Sequence, residues 1–139
     1  MDAERTTGSN EIVDRLFVYA TLRAGQTARS LIANHIVRHS EASVLGQLYI
    51  FPMGYAGFVA DPAGAPVVGE VLWLTELAAA FGLLDAYEGR DFHRVLVQAQ
   101  LGSGEALWAW VYALADTEAV KHGLRIEHGD WVRYRAEHG

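Results

Sequence analysis

Leu107-Trp108-Ala109-Trp110-Val111-Tyr112-Ala113-Leu114 is apolar at every position. Side chains alternate across a strand, so Leu107, Ala109, Val111 and Ala113 form one face and Trp108, Trp110, Tyr112 and Leu114 the other. A strand with two apolar faces does not suit an open sheet with one wet side. It fits a barrel wall covered by helices or a wall lining a cavity. Gly102-Ser103-Gly104 joins this strand, residues 105–114, to another over residues 92–101 as a hairpin. Upstream, residues 67–74 read as a strand whose Gly69 marks a bulge or a close backbone approach. Val44-Leu45-Gly46-Gln47-Leu48-Tyr49-Ile50 and Leu16-Phe17-Val18-Tyr19 complete the strong β runs.

Between these strands the chain predicts helices and loops. Thr75 is a suitable N-cap for a helix over residues 76–87, with Leu77, Ala80, Phe81 and Leu84 as its apolar stripe. Gly89 follows where a helix end favours a residue tolerant of positive φ. Residues 26–36 read as a second helix, with Ala28, Leu31, Ile32 and His35 near one face. Residues 51–66 hold all three prolines and read as a loop-rich stretch with a short strand around Phe58-Val59. Residues 1–11 read as a flexible arm. Residues 12–135 are expected to form one domain, and the stretch from Asp116 onward is more polar.

Composition excludes several classes of function. Half of the 139 residues are apolar, which argues against global disorder. With no cysteine, a disulfide scaffold, a thiolate metal site and a cysteine nucleophile are all ruled out. No apolar run reaches the roughly 18 residues of a membrane span, and the first eleven residues lack a leader's apolar region. A cytoplasmic protein without a membrane partner is therefore expected. Net charge is −6 and the basic residues are scattered, so no nucleic-acid partner is expected. An anionic ligand would need local positive potential, which a backbone nest or helix N-terminus supplies.

Two segments carry candidate chemistry. Glu88 closes Leu84-Asp85-Ala86-Tyr87-Glu88-Gly89. As a functional group it would be a general base whose pKa is raised by apolar surroundings; as an ordinary one, a solvated glutamate at a helix end. Its place opposes the helix macrodipole, a mild functional hint. Asp85 is the rival carboxylate and reads more readily as an exposed polar residue. In Tyr19-Ala20-Thr21-Leu22-Arg23 a strand ends in a small-residue turn. Its backbone N–H groups either receive a carboxylate or developing oxyanion, helped by the helix from Gln26, or simply connect strand to helix. Arg23 reads as a surface residue ahead of a substrate partner. The six histidines show no metal-type pairing, so no metal is expected. No serine sits in a nucleophile elbow, and no glycine-rich stretch matches a P-loop or dinucleotide fingerprint. Trp108, Trp110 and Tyr112 read as core, since no basic residue interleaves with them.

The two segments together resemble the gamma-glutamylcyclotransferase-like family, whose patterns are Tyr-Gly-(Ser/Thr)-(Leu/Asn)-Arg early and Leu-Asp-x-x-Glu-Gly later. Gly46-Gln47-Leu48-Tyr49, Val68-Gly69-Glu70-Val71, Arg94-Val95-Leu96-Val97, Ala109-Trp110-Val111-Tyr112 and Gly129-Asp130-Trp131 extend the resemblance in order, from about Leu16 to Trp131. It implies a mixed α+β fold: a small twisted, partly closed β-barrel with flanking helices and a cavity at one end. It implies a cofactor-free intramolecular reaction that releases 5-oxoproline and a free amine from a small gamma-glutamyl amine, amide or peptide. By resemblance Glu88 transfers the protons, the backbone of Tyr19, Ala20, Thr21 and Leu22 holds the glutamyl end, and Tyr112 hydrogen-bonds near the carboxyl or closes the pocket. Ala20 stands where the family has glycine, and Phe92 where many members have tyrosine. An alanine forced to positive φ would cost roughly 1 kcal/mol or narrow the pocket. These departures motivate the alternative of a non-catalytic small-ligand-binding module of the same fold.

Overall fold

The computed structural model describes residues 12–138, so the expected arm at residues 1–11 lies outside the described residues. The strands are β1 (Arg15–Val18), β2 (Ile36–Ile50), β3 (Ala56–Ala60), β4 (Ala65–Leu74), β5 (Phe92–Leu101), β6 (Ala106–Leu114) and β7 (Leu124–Arg125). The helices are α1 (Leu77–Glu88) and α2 (Trp131–His138). Strands β2, β4, β1, β6 and β5 follow one another in hydrogen-bonded order, and β5 returns to β2 through Ala42 opposite Leu101 and Ser43 opposite Gln100. Five strands thus close a barrel, in the mixed α+β class expected. Only β1 and β6 run parallel within it, with Leu16 opposite Trp110 and Phe17 opposite Val111. The far half of β2 continues past the barrel and carries β3 and β7.

The alternation along β1 and β6 separates two cores. Phe17 and Tyr19 point inward with Ala109, Val111 and Ala113, where Val44, Leu48, Phe58 and Val71 meet them. Leu16, Val18 and Tyr112 point outward, against Ala80, Phe81 and Leu84 of α1 and Leu22 and Ile32 of the β1–β2 connection. The two apolar faces of β6 are therefore the two sides of a barrel wall. Trp108, near the start of the strand, is 48% exposed. Alanines at 42, 99, 109 and 113 leave room inside the small barrel for the Phe17 and Phe58 rings. Gly69 is the close approach its sequence suggests: a Cβ there would strike the Val18 carbonyl oxygen and the Phe17 ring.

Three expectations change. Residues 26–36 do not form an α-helix; only two 3-10 turns, Arg29–Leu31 and Ala33–His35, appear. Loop bonds take the first amides, with Gln26 N donating to Arg23 O and Ala28 N to Thr21 O, and the Arg29 side chain turns towards β4. Ala28 and Ile32 are still buried, so the apolar spacing was legible even though the helix was not. Thr75 is not the N-cap of α1. Its N–H pairs with His35 O, which prolongs the extended chain, and Glu76 takes the capping position at φ +54°. Strand β2 begins at Ile36 rather than Val44, because pairing with β4 runs back to Leu74 despite the polar residues between.

Candidate active site

Strand β1 and helix α1 deliver the two sequence motifs to one place. Leu84 and Phe81 anchor α1 on the barrel wall, and Gly89, at φ +73°, donates its N–H to Asp85 O and ends the helix. Glu88 is thereby left on the last turn, in the wall of a cavity of about 330 Å³. Burial pushes its pKa up to about 7. Among the described residues no side chain or backbone group hydrogen-bonds or pairs with its carboxylate. A carboxylate half-protonated near neutrality can both accept and return a proton.

The same cavity is lined by Tyr19, Ala20, Thr21, Leu22 and Tyr112, so the residues to which the resemblance gives a role border it, whereas Asp85 and Arg23 do not. Arg23 N closes a turn onto Ala20 O at 3.1 Å. Among the described residues nothing accepts from the backbone N–H of Thr21 or Leu22. Such adjacent free amides form an anion-receptive edge. The expected help from a helix starting at Gln26 is absent, because that helix does not form. Ala20 does not adopt positive φ, so it carries no left-handed strain. Its methyl instead packs partly buried against the inner core.

The rigidity of this turn comes from a residue that entered the sequence reading only as part of a motif. Glu70 faces Val18 across the β1–β4 ladder and is 9% exposed. It accepts from Arg29 Nη1 at 2.7 Å and from Ala24 N at 3.0 Å. Arg29 also donates to Leu22 O at 3.3 Å, which ties the salt bridge to the cavity wall. An acidic residue inside the apolar run of β4 was the available signal. Arg23 is neither a surface nor a cavity residue. It donates to Asp130 at 2.8 Å, joining the first motif to Gly129-Asp130-Trp131. Burial tends to raise the Asp130 pKa, but the hydrogen bond and charge of Arg23 outweigh this and hold it low.

Asp85 and Tyr112 form the opposite support. The Tyr112 hydroxyl donates to Asp85 Oδ1 at 2.6 Å, and Arg94 Nε donates to the same oxygen at 2.9 Å. Slight burial would raise the Asp85 pKa; these hydrogen bonds and the Arg94 charge overcome it and keep the carboxylate ionised. Asp85 is thus engaged, unlike Glu88. The Tyr112 carbonyl accepts from the Tyr19 hydroxyl at 2.8 Å. Burial, then the negative charge of Glu88, pushes the Tyr19 phenol well up, so it remains a neutral donor. Thr21 Oγ1 and the Tyr87 hydroxyl lie 2.9 Å apart and bridge the two motifs across the cavity. Tyr55, Asp91 and Phe92 line the remaining wall.

The Gamma-glutamyl cyclotransferase, AIG2-like family model matches residues 16–133. Among solved structures, YkqA from Bacillus subtilis is similar at TM-score 0.71 and 24% identity, covering 91% of this chain and 42% of that one. This chain thus spans about two-fifths of that protein's length. An AIG2-like protein from Mus musculus matches at TM-score 0.66 and 19% identity over 86% of this chain and 88% of its own. A uropathogenic E. coli-specific protein matches at 0.65 and 19%, over 91% and 98%. These likenesses show the fold. Among curated proteins none matches the chain.

Proposed function

We propose, from the premise that this chain belongs to the gamma-glutamyl cyclotransferase, AIG2-like family, that it cyclises a small gamma-glutamyl amine, amide or peptide to 5-oxoproline and a free amine. The observation that carries this reading is one cavity holding a half-buried Glu88 that has no partner among the described residues, beside the amides of Thr21 and Leu22, which donate to nothing among the described residues. In this reading those amides receive the glutamyl end of the substrate. Its α-amine lies within reach of its own γ-carbonyl, so proximity favours ring closure. Glu88 takes a proton from the α-ammonium, the nitrogen bonds to the γ-carbon, and the γ-carbon's bond to the amine then breaks. The α-nitrogen loses two protons in becoming a lactam N–H. The departing nitrogen gains two in leaving as an ammonium, and Glu88 ends as the carboxylate it began as. No redox partner or water enters the balance.

The test is 5-oxoproline release from a panel of gamma-glutamyl amines and dipeptides, with wild type and Glu88→Gln measured together. The expected outcome is release by wild type and a loss on the order of 10²–10⁴-fold in the variant. Equal turnover by both would remove Glu88 from the mechanism. The Ala20 methyl and the missing hydroxyl at Phe92 favour a second reading, a binding module. It predicts thermal stabilisation by 5-oxoproline or glutamate with no release by wild type.

A further inference from the structure

A second cavity, of about 330 Å³, shares no lining residue with the one that holds Glu88. The turn between β2 and β3, β7 with the 3-10 turn before it, and α2 form its walls. Arg135, His122 and His138 line it, and among the described residues no carboxylate does. Helical spacing puts Tyr134, Arg135 and His138 on one side of α2. The Tyr134 and His138 rings stack, with centroids 4.0 Å apart at 17°. His138 Nδ1 donates to the Tyr134 carbonyl at 3.0 Å, which leaves Nε2 for a ligand. The nearby cations are neutralised: Arg133 by Glu137 at 3.1 Å and Lys121 by Glu118 at 2.6 Å, while His128 also faces Glu137 at 3.3 Å. Among the described residues Arg135 has no carboxylate; its guanidinium carbon lies 5.6 Å from the centroid of the Trp131 ring. The rest of the wall is apolar, with Phe51, Pro52 and Leu124, the last 69% exposed.

From this we infer that the second cavity is a binding site for a small organic anion, with a carboxylate or phosphate head on an apolar body. The head takes the Arg135 guanidinium through paired N–H donors, with the His122 and His138 rings beside it. A chain of net charge −6 repels anions over most of its surface. A concave wall with an arginine, two imidazoles and no carboxylate is where that repulsion is locally reversed. An exposed charge pair alone contributes little. The apolar body therefore matters as much as the head: it covers Pro52 and Leu124 and removes their surface from water. The site stands apart from the cyclotransferase reading and does not depend on it.

Four probes separate the head from the body: phenyl phosphate, benzoate, inorganic phosphate and neutral benzyl alcohol. Each is titrated into the full-length chain while backbone amide shifts are followed by NMR. Phenyl phosphate or benzoate should give saturable shifts at Gly54, Leu124 and Arg135, with none at Thr21 and Leu22 of the first cavity. The tighter of the two identifies the head, and it should bind more tightly than inorganic phosphate or benzyl alcohol. Arg135→Ala should weaken that binding by on the order of ten- to a hundredfold. Arg133→Ala removes the same charge from a paired neighbour on α2 and should leave it unchanged. Shifts confined to Thr21 and Leu22, equal weakening by the two variants, or no saturable shift at millimolar phenyl phosphate and benzoate would each overturn the site. Benzyl alcohol binding as tightly as the anions would overturn the role of the charge, and inorganic phosphate doing so would overturn that of the body.

Discussion

Two glutamates near the cavity have opposite surroundings: Glu70 is buried and tied to the turn that lines it, and Glu88 is half-buried in its wall. Glu70, on β4, is held by the Arg29 guanidinium and the Ala24 N–H. Glu88, on the last turn of α1, has no partner among the described residues, and burial alone lifts its pKa to about 7. Partnering therefore separates them more than depth does. A carboxylate with a guanidinium and an amide on it is a fixed strut, whereas a desolvated carboxylate with neither is poised to exchange a proton. The strut holds the turn that lines the cavity together with Glu88.

Removing each glutamate should break this comparison in different ways. Glu88→Gln should abolish most turnover and yet stabilise the fold at alkaline pH. A carboxyl whose pKa rises from 4.5 to about 7 on folding makes the folded state bind more protons between those values. Stability therefore falls as pH rises from about 4.5 to 7 and stays lowered above that. Comparing melting of wild type and Glu88→Gln should reveal a gain of up to about 3 kcal/mol at pH 8 that vanishes near pH 4. Equal melting at both pH values would deny the desolvated carboxylate.

Glu70→Ala should do the reverse. It strands Arg29 in a mostly buried position, at a cost of about 3 kcal/mol in denaturant unfolding. Ala24 and Leu22 then lose their anchor, and KM should rise more than kcat falls. Glu70→Gln, which keeps an acceptor for Ala24 N, should recover part of the KM loss. A kcat loss matching that of Glu88→Gln would give Glu70 a direct chemical role instead.

The pH profile sharpens the contrast without mutation. If Glu88 acts as the carboxylate, kcat/KM should climb through about pH 7 and level off above it. A profile flat from pH 5 to 9 would point to another base. The smallest expected effect belongs to Tyr112→Phe. Its hydroxyl is bound to Asp85, which keeps Arg94, so the loss should be about 1–2 kcal/mol in stability with kcat/KM changed less than about tenfold. A larger loss confined to kcat/KM would return Tyr112 to the substrate-contacting role its family resemblance implies.

The barrel was legible because β6 is apolar on both faces and because β1, β4 and β5 carry strong β runs with clear turns between them. Strand β2 was only half legible. Its first half reads Ile36-Val37-Arg38-His39-Ser40-Glu41-Ala42-Ser43, and only its partner β4 makes it a strand. The helix expected at residues 26–36 failed for a related reason. Apolar spacing records which residues are buried, whereas the fold of this stretch follows from loop bonds of Gln26 to Arg23 and Ala28 to Thr21 and from the Arg29 side chain's bond to Glu70, far along the chain. Arg23 was misplaced on the surface because its partner, Asp130, lies more than a hundred residues away.

By itself the sequence determined the strands with strong local patterns, the end of α1 at Gly89, the gathering of Glu88 and the Tyr19–Leu22 turn as candidates, and the family. These rest on local features: alternation, punctuation by glycine, and short motifs in order. Only the tertiary structure decided which carboxylate has no partner among the described residues, what holds the turn, and that Tyr55 and Phe92 line one cavity with Glu88. Those properties belong to distances between distant segments, and burial and pairing arise only when the barrel closes and brings β1, β4 and α1 together.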